Sequence, residues 1–163
     1  DYLSDSTHEQ AFLDGCIKII HDSINDYKAR QLEATVPIDV DSLSPIQFEH
    51  YCADMLRNNG WAVRVTKASG DQGIDLVANY GEVKAVFQCK QYSQPVGNGA
   101  VQEIIAGKQF EQANIAVVIT NNTYTTSAKQ LANATGIHLL HYTELGQFAE
   151  RIGLSSKKSA TSC

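Results

Sequence analysis

No stretch of this sequence reaches the roughly 18 consecutive apolar residues that a membrane-spanning helix needs. The first residues also lack the basic, apolar and small-residue succession of a secretory signal. Because the chain begins at Asp1 rather than Met, it reads as a processed product or a fragment, so the missing signal says little about a longer precursor. Cysteine is scarce. Cys16, Cys52, Cys89 and Cys163 form no C-x-x-C pair and no short disulfide framework, which favours reduced thiols and a cytoplasmic location. Cys52 and Cys89 fall at apolar positions and read as core residues. Of the five histidines only His138 and His141 are close in sequence, and no cysteine pair accompanies them, so a structural zinc site is excluded.

A surplus of basic residues is missing too: the formal net charge is -5, which taken as a sum speaks against a polyanionic partner. Its distribution reverses that inference. Residues 1–50 carry ten acidic side chains against three basic ones, whereas residues 51–163 carry eight against ten. The acidity belongs to the N-terminal segment, and the remainder is slightly positive.

What is present is a 43% hydrophobic chain of 163 residues, enough for one ordinary domain with some excess. The excess lies at the start, where Leu13, Ile17, Ile20, Ile24 and Tyr27 recur at spacings of four and three, the rhythm of a helix seam. Such a seam suits a homodimer or an amphipathic helix lying on its own domain. The stretch "ATVPIDVDSLSP" then reads as an extended linker, so residues 1–43 form a helical segment and linker, 44–152 the main domain and 153–163 a tail.

Ser44, Pro45 and Gln47 match a capping box with proline at the first helical position. The apolar stripe Phe48, Tyr51, Cys52, Met55 and Leu56 continues that helix, and Gly60 stops it. "WAVRVT" alternates as a strand, "GIDLVAN" and "VKAVFQC" form a hairpin around "YGE", and "IAVVIT" is a continuous apolar run suited to a strand covered on both faces. Helices are expected around Val101, Ile104 and Ile105, over "SAKQLANATG", and through "ELGQFAERIG" after a short strand "IHLLH". The order αβββαβαβα predicts an α/β fold, a mixed sheet covered by helices on both faces.

Polar residues interrupt that sheet at Asp75, Gln88 and Lys90. Strand side chains alternate faces, so Gln88 and Lys90 point one way while Val83, Ala85, Phe87 and Cys89 point the other. Asp75, lying between Ile74 and Leu76, is expected opposite to both and on the side of Gln88 and Lys90. Isolated buried charges cost several kcal/mol, so such a cluster is tolerated mainly when the charges pair or bind something. An aspartate is a hard oxygen ligand for Mg²⁺, and a nearby lysine can position water and offset charge on a phosphate, which together suit phosphodiester cleavage.

Asp75, then twelve residues, then Gln88-Cys89-Lys90 resembles the PD-(D/E)xK nuclease signature. The segments "PIQFEHYCADMLRNNGW", "SGDQGIDLVA", "FQCKQY" and "VVITNNTYTTSAKQLA" together resemble the Mrr-type restriction endonuclease catalytic domain, over about Ser44 to Gly146. The resemblance implies a restriction-endonuclease-like α/β/α core and a Mg²⁺-dependent DNA endonuclease, with Mn²⁺ as a substitute ion, working in restriction or DNA defence and leaving 5′-phosphate ends. Carried over residue by residue, it makes Asp75 the metal-binding aspartate and Lys90 the catalytic lysine. Gln88 stands where most of the superfamily has an acid and, on this resemblance, is a catalytic-site residue that orients water or metal. Glu49 matches a helix carboxylate that joins the metal shell, and the Cys89 carbonyl is a further ligand. Having glutamine at 88 leaves one carboxylate fewer, so occupancy by one or two ions stays open. DNA is the implied partner, with targeting by a separate module or subunit.

Ordinary readings stand beside these. Asp75 and Lys90 suit a cross-strand ion pair worth roughly 0.2–1 kcal/mol, Glu49 a solvated helix rim, Asp71 a turn, and Gln102 a polar helix position. "GNGAVQ" offers only two glycines of a dinucleotide-binding loop, and no acid ends the following strand, which argues against that use. Two alternatives remain in view: a nucleic-acid-binding module of the same fold that does not cut, and a junction-resolving nuclease.

Overall fold

The computed structural model describes residues 13, 15–25, 38–66 and 73–154. Tyr27, Asp71, the start of the expected linker (34–37) and nearly all of the tail, including Cys163, lie outside the described residues. The chain divides into two compact units, Asp1–Asp39 and Val40–Cys163. In the first unit, residues 15–25 are helical, and Leu13, Ile17, Ile20 and Ile24 of the seam are all exposed, at 43% to 57% of their surface.

The second unit begins with a 3₁₀ turn, Val40–Ser42, and helix α1, Pro45–Asn58. The capping box forms as expected: the Gln47 N–H donates to the Ser44 hydroxyl at 3.3 Å and the Ser44 N–H donates to the Gln47 side chain at 2.8 Å. Strands β1 (Ala62–Val65), β2 (Leu76–Tyr80) and β3 (Val83–Lys90) follow. Then come helix α2 (Asn98–Phe110), β4 (Ile115–Thr120), helix α3 (Thr126–Thr135) and β5 (His138–His141). A 3₁₀ segment, Tyr142–Gln147, leads into a short helix α4, Phe148–Arg151. The single helix expected through "ELGQFAERIG" is thus split, 3₁₀ through Gln147 and α-helical only over Phe148–Arg151. Its first turn is held by the Glu144 carboxylate, which accepts the His141 N–H at 2.7 Å.

One sheet carries the unit, in the order β1-β2-β3-β4-β5. The first three strands are antiparallel, and β3, β4 and β5 run parallel, so the sheet is mixed. β4 is buried along almost its whole length, as its unbroken apolar run requires.

Two cores sandwich the sheet. On the α1 face Phe48, Cys52, Leu56, Trp61, Phe87 and Phe148 pack together, with Trp61 stacked on Phe148 at a centroid separation of 6.0 Å. On the opposite face Val77, Val86 and Val118 meet Val101 and Ile104 of α2 and Ala128 of α3. Burying each of these aliphatic or aromatic side chains contributes about 1.5–3 kcal/mol. Together they hold the ends of β2 and β3 rigidly beside α1 and α2.

Candidate functional site at the end of the central strands

The simple alternation expected around Asp75 fails. Ile74 belongs to the α2-side core and Leu76 to the α1-side core, so the two are not on one face. The cause is local. Leu76 is the register partner of Phe87, and the Asp75 N–H also donates to the Phe87 carbonyl, at 2.9 Å. Two residues therefore oppose one, a β-bulge, which re-aims the bulged side chain. The Asp75 carbonyl accepts from the Thr66 N–H at 2.8 Å and from its hydroxyl at 3.1 Å, so the displaced backbone is held on both sides.

The re-aimed carboxylate lines a recess of about 230 Å³ with Ile46, Glu49 and His50 of α1 and Val65 and Thr66 of the first strand and its end. Asp75 and Glu49 are thus brought together. Asp75 Oδ2 accepts the Cys89 N–H at 2.7 Å. In a strand the N–H and C=O of one residue point to the same edge, so the Cys89 carbonyl faces that edge as well. Burial, above all, raises the Asp75 pKa; the Cys89 N–H and the Lys90 charge pull it down, and Glu103 pushes it up. Burial also raises the pKa of Glu49, with Asp75 as the next cause and His50 opposing. The Cys89 thiol is pushed well up by its hydrogen bond with Cys52, by burial and by the Asp75 and Glu49 charges, so it stays protonated and is not a thiolate ligand.

Gln88 and Lys90 face the other way, toward α2. Gln88 is 2% exposed, and its Nε2 donates to Glu103 Oε2. Lys90 Nζ donates to the same oxygen at 3.2 Å, so the lysine's ion pair is made with Glu103 rather than with Asp75. The ammonium also stands 5.9 Å from the centre of the exposed Tyr92 ring. Asp75 therefore does not share the face of Gln88 and Lys90. The two groups meet at the end of β3 from opposite sides of the sheet, close enough for the Lys90 charge to act on Asp75.

Glu103 is the residue that sequence reasoning missed. It lies thirteen positions after Lys90 on a separate helix, and nothing in the strand pattern points to it. The usable signal was helical spacing: Ala100, Val101, Ile104 and Gly107 are buried on α2, which leaves Glu103 at the rim of the packed face, beside the sheet. Gln102 is an exposed helix position. Past Lys90, Gln91 Nε2 donates to the Val40 carbonyl at 3.0 Å and the Tyr92 N–H to Asn121 Oδ1 at 2.8 Å. These bonds build a second, larger recess of about 620 Å³ lined by Asp41, Gln91, Tyr92, Asn121 and Asn122.

Among the described residues no three His, Cys, Asp or Glu side chains gather as a metal cluster. Two half-buried carboxylates on one recess, both with raised pKa values, nevertheless suit a hard divalent cation. Mg²⁺ typically takes one or two carboxylates and completes its shell with water and substrate phosphate. The residues fit such an ion.

Several comparisons bear on this arrangement. A structure of a protein of unknown function, AF1548, is 22% identical with a TM-score of 0.54, covering 61% of this chain and 59% of that one. The DNA modification-dependent restriction endonuclease AspBHI is 17% identical with a TM-score of 0.51, covering 68% of this chain and 32% of that one. The Holliday junction resolvase Hjc from Archaeoglobus fulgidus is 19% identical with a TM-score of 0.40, covering 45% of this chain and 64% of that one. This chain thus spans less than two thirds of the length of each, and the first two likenesses show a shared restriction-endonuclease-like fold. Among curated proteins none matches. No helix among the described residues is long and apolar enough to cross a membrane. The restriction endonuclease family model Mrr_cat matches residues 40–149, which is the whole sheet together with helices α1, α2 and α3, and the chain belongs to that family.

Proposed function

We propose that the chain is a divalent-metal-dependent DNA endonuclease acting in restriction or DNA defence. The observation that carries this reading is the recess at the bulge, where Asp75 and Glu49 converge, with Lys90 reaching the same end of β3 from the other side of the sheet, near enough for its charge to act on Asp75. Asp75 and Glu49, with the Cys89 carbonyl, would hold Mg²⁺ or Mn²⁺; when bound, the ion polarises the phosphoryl oxygens and lowers the pKa of a bound water. Asp75 is fixed for this task by the Cys89 N–H, which binds one of its oxygens while the residue lines the recess.

Lys90 has a different task. Its ammonium orients the attacking water and offsets the negative charge that grows on the phosphate oxygens as the reaction proceeds. The water oxygen bonds to phosphorus and gives up a proton to solvent, the bond to the 3′ oxygen breaks, and the 3′ oxygen takes up a proton from solvent, leaving a 5′-phosphate and a 3′-hydroxyl. Gln88 is buried beside the lysine and steadies it through their common acceptor. DNA is the partner, and a separate module or subunit would direct it. The exposed Leu13, Ile17, Ile20 and Ile24 face would join two copies into a homodimer, able to address both strands.

The test is incubation of methylated and unmethylated plasmid, and of a four-way junction, with Mg²⁺, Mn²⁺ or EDTA. The expected result is metal-dependent nicking of plasmid that Asp75→Ala and Lys90→Ala each abolish while circular dichroism stays at wild type. Full activity in either variant sinks the assignment. Cleavage confined to the junction would favour the resolving nuclease instead.

A further inference from the structure

Position 88 lacks the acid that a phosphodiester-cleaving strand would be expected to carry, yet a carboxylate reaches the same place from elsewhere. Glu103 projects from α2 so that one oxygen, Oε2, accepts from both Gln88 Nε2 and Lys90 Nζ. Gly73 closes the group from the third side. Its φ is +74°, and a Cβ there would stand 3.0 Å from Gln88 Nε2 and 3.0 Å from the Glu103 Cβ, so the backbone entering β2 rests directly on the pair and only glycine fits. Gln88 is among the most deeply buried side chains of the molecule, and its other polar atom, Oε1, has no hydrogen-bond partner among the described residues. A buried carboxamide in that situation depends on the one strong bond it makes.

We propose that Glu103 supplies from helix α2 the acid that the strand lacks at position 88, and that it is a positioning residue holding Lys90 and Gln88 in place at the end of β3. The inference rests on the nuclease reading and names the group on which its lysine depends. An ammonium on a four-carbon stem has many rotamers. Lys90, with 20% of its side chain exposed, is pinned by the Glu103 carboxylate on one side, with the Tyr92 ring nearby. Placing the acid on the helix leaves the strand position neutral, so Asp75 faces the Glu103 charge across the sheet end instead of a carboxylate two residues before the lysine.

Glutamine and glutamate are isosteric, so the arrangement can be inverted. Gln88→Glu sets two carboxylates against each other, and Glu103→Gln removes the only one. The double substitution Gln88→Glu with Glu103→Gln restores one amide and one carboxylate in the same volume, with the acid moved onto the strand. Four proteins are compared: wild type, the two single variants and the double variant. The readouts are turnover on plasmid with Mn²⁺, affinity for an uncleavable phosphorothioate duplex, and the Lys90 ammonium signal in a lysine-selective nitrogen–proton correlation spectrum.

A charge-assisted hydrogen bond lost from a positioned group predicts that Glu103→Gln lowers turnover by about tenfold or more. Duplex affinity is expected to be unchanged or tighter, because a negative charge near the phosphate path is gone. The Lys90 signal should be visible in wild type, broaden or vanish in Glu103→Gln and return in the double variant, whose turnover recovers to within about threefold of wild type. Wild-type turnover in Glu103→Gln, or a double variant as slow as Glu103→Gln, overturns the proposal. If wild type cuts no DNA, the nuclease reading fails while the ammonium signal still judges the placement: a Lys90 signal unchanged in Glu103→Gln overturns it, and its loss with recovery in the double variant upholds it.

Discussion

Replacing Asp75 by asparagine tests the metal site through stability, with no need to know the DNA substrate. In metal-free protein at neutral pH the Asp75 carboxylate is held under three burdens: burial, the Glu49 charge across the recess and the Glu103 charge beyond Lys90. Against these stand the Cys89 N–H and the attraction of Lys90. Asparagine removes the burdens, and its carbonyl oxygen can still accept the Cys89 N–H, so only the attraction to Lys90 is lost. Relief of the Asp75 pKa rise should leave the metal-free variant as stable as wild type or slightly more stable.

The sign of the pH dependence follows. A carboxyl whose native pKa is raised holds its proton longer when folded, so the stability it contributes declines as pH climbs from the unfolded values, 3.8 for Asp75 and 4.5 for Glu49, through their raised native values. Glu111, held down chiefly by its hydrogen bond from Lys84, slopes the opposite way. The difference between wild type and Asp75→Asn isolates the recess: the variant should gain on wild type as pH rises from 4 to about 7. Metal reverses the ranking. An ion at about 100 times its Kd stabilises wild type by roughly 2.7 kcal/mol, or on the order of 8 °C for a unit of this size, and the variant by much less. The assay is a thermal melt of both proteins in EDTA and in a Mn²⁺ titration at several pH values. A destabilised variant whose metal response equals that of wild type would refute the reasoning.

Two further outcomes are expected. Phe87 sits edge-on to Trp61 at 5.9 Å and to Phe148 at 6.1 Å in the α1-side core; Phe87→Ala should cost about 3–5 kcal/mol in urea unfolding, and a loss below about 1 kcal/mol would mean that the core is not packed as described. Joint replacement of Ile17 and Ile20 by glutamate should convert a dimer into a folded monomer in light scattering, whereas a wild-type monomer at high concentration would end the homodimer reading.

Much of the scaffold was legible without coordinates. Capping by Ser44 and Gln47, the apolar stripe of α1, the alternation of β3 and the unbroken run of β4 are local patterns, and each depends only on the repeat of a helix or a strand. Gln88 and Lys90 were assigned to one face for the same reason, and both turn to Glu103. The spacing from Asp75 to Lys90 likewise marked the candidate chemistry before any contact was known.

The faces around Asp75 were decided by the tertiary structure alone. A bulge arises from how two strands align, so no period-two count along "GIDLVAN" reveals that Ile74 and Leu76 part company there. Glu103 escaped notice for a related reason: α2 carries it to Lys90 only because Val101 and Ile104 pack against Val86 and Val118 on the sheet. Side chains on one element keep a fixed spacing that the sequence displays, whereas those on different elements meet wherever the cores between them permit, and that placement belongs to the folded molecule.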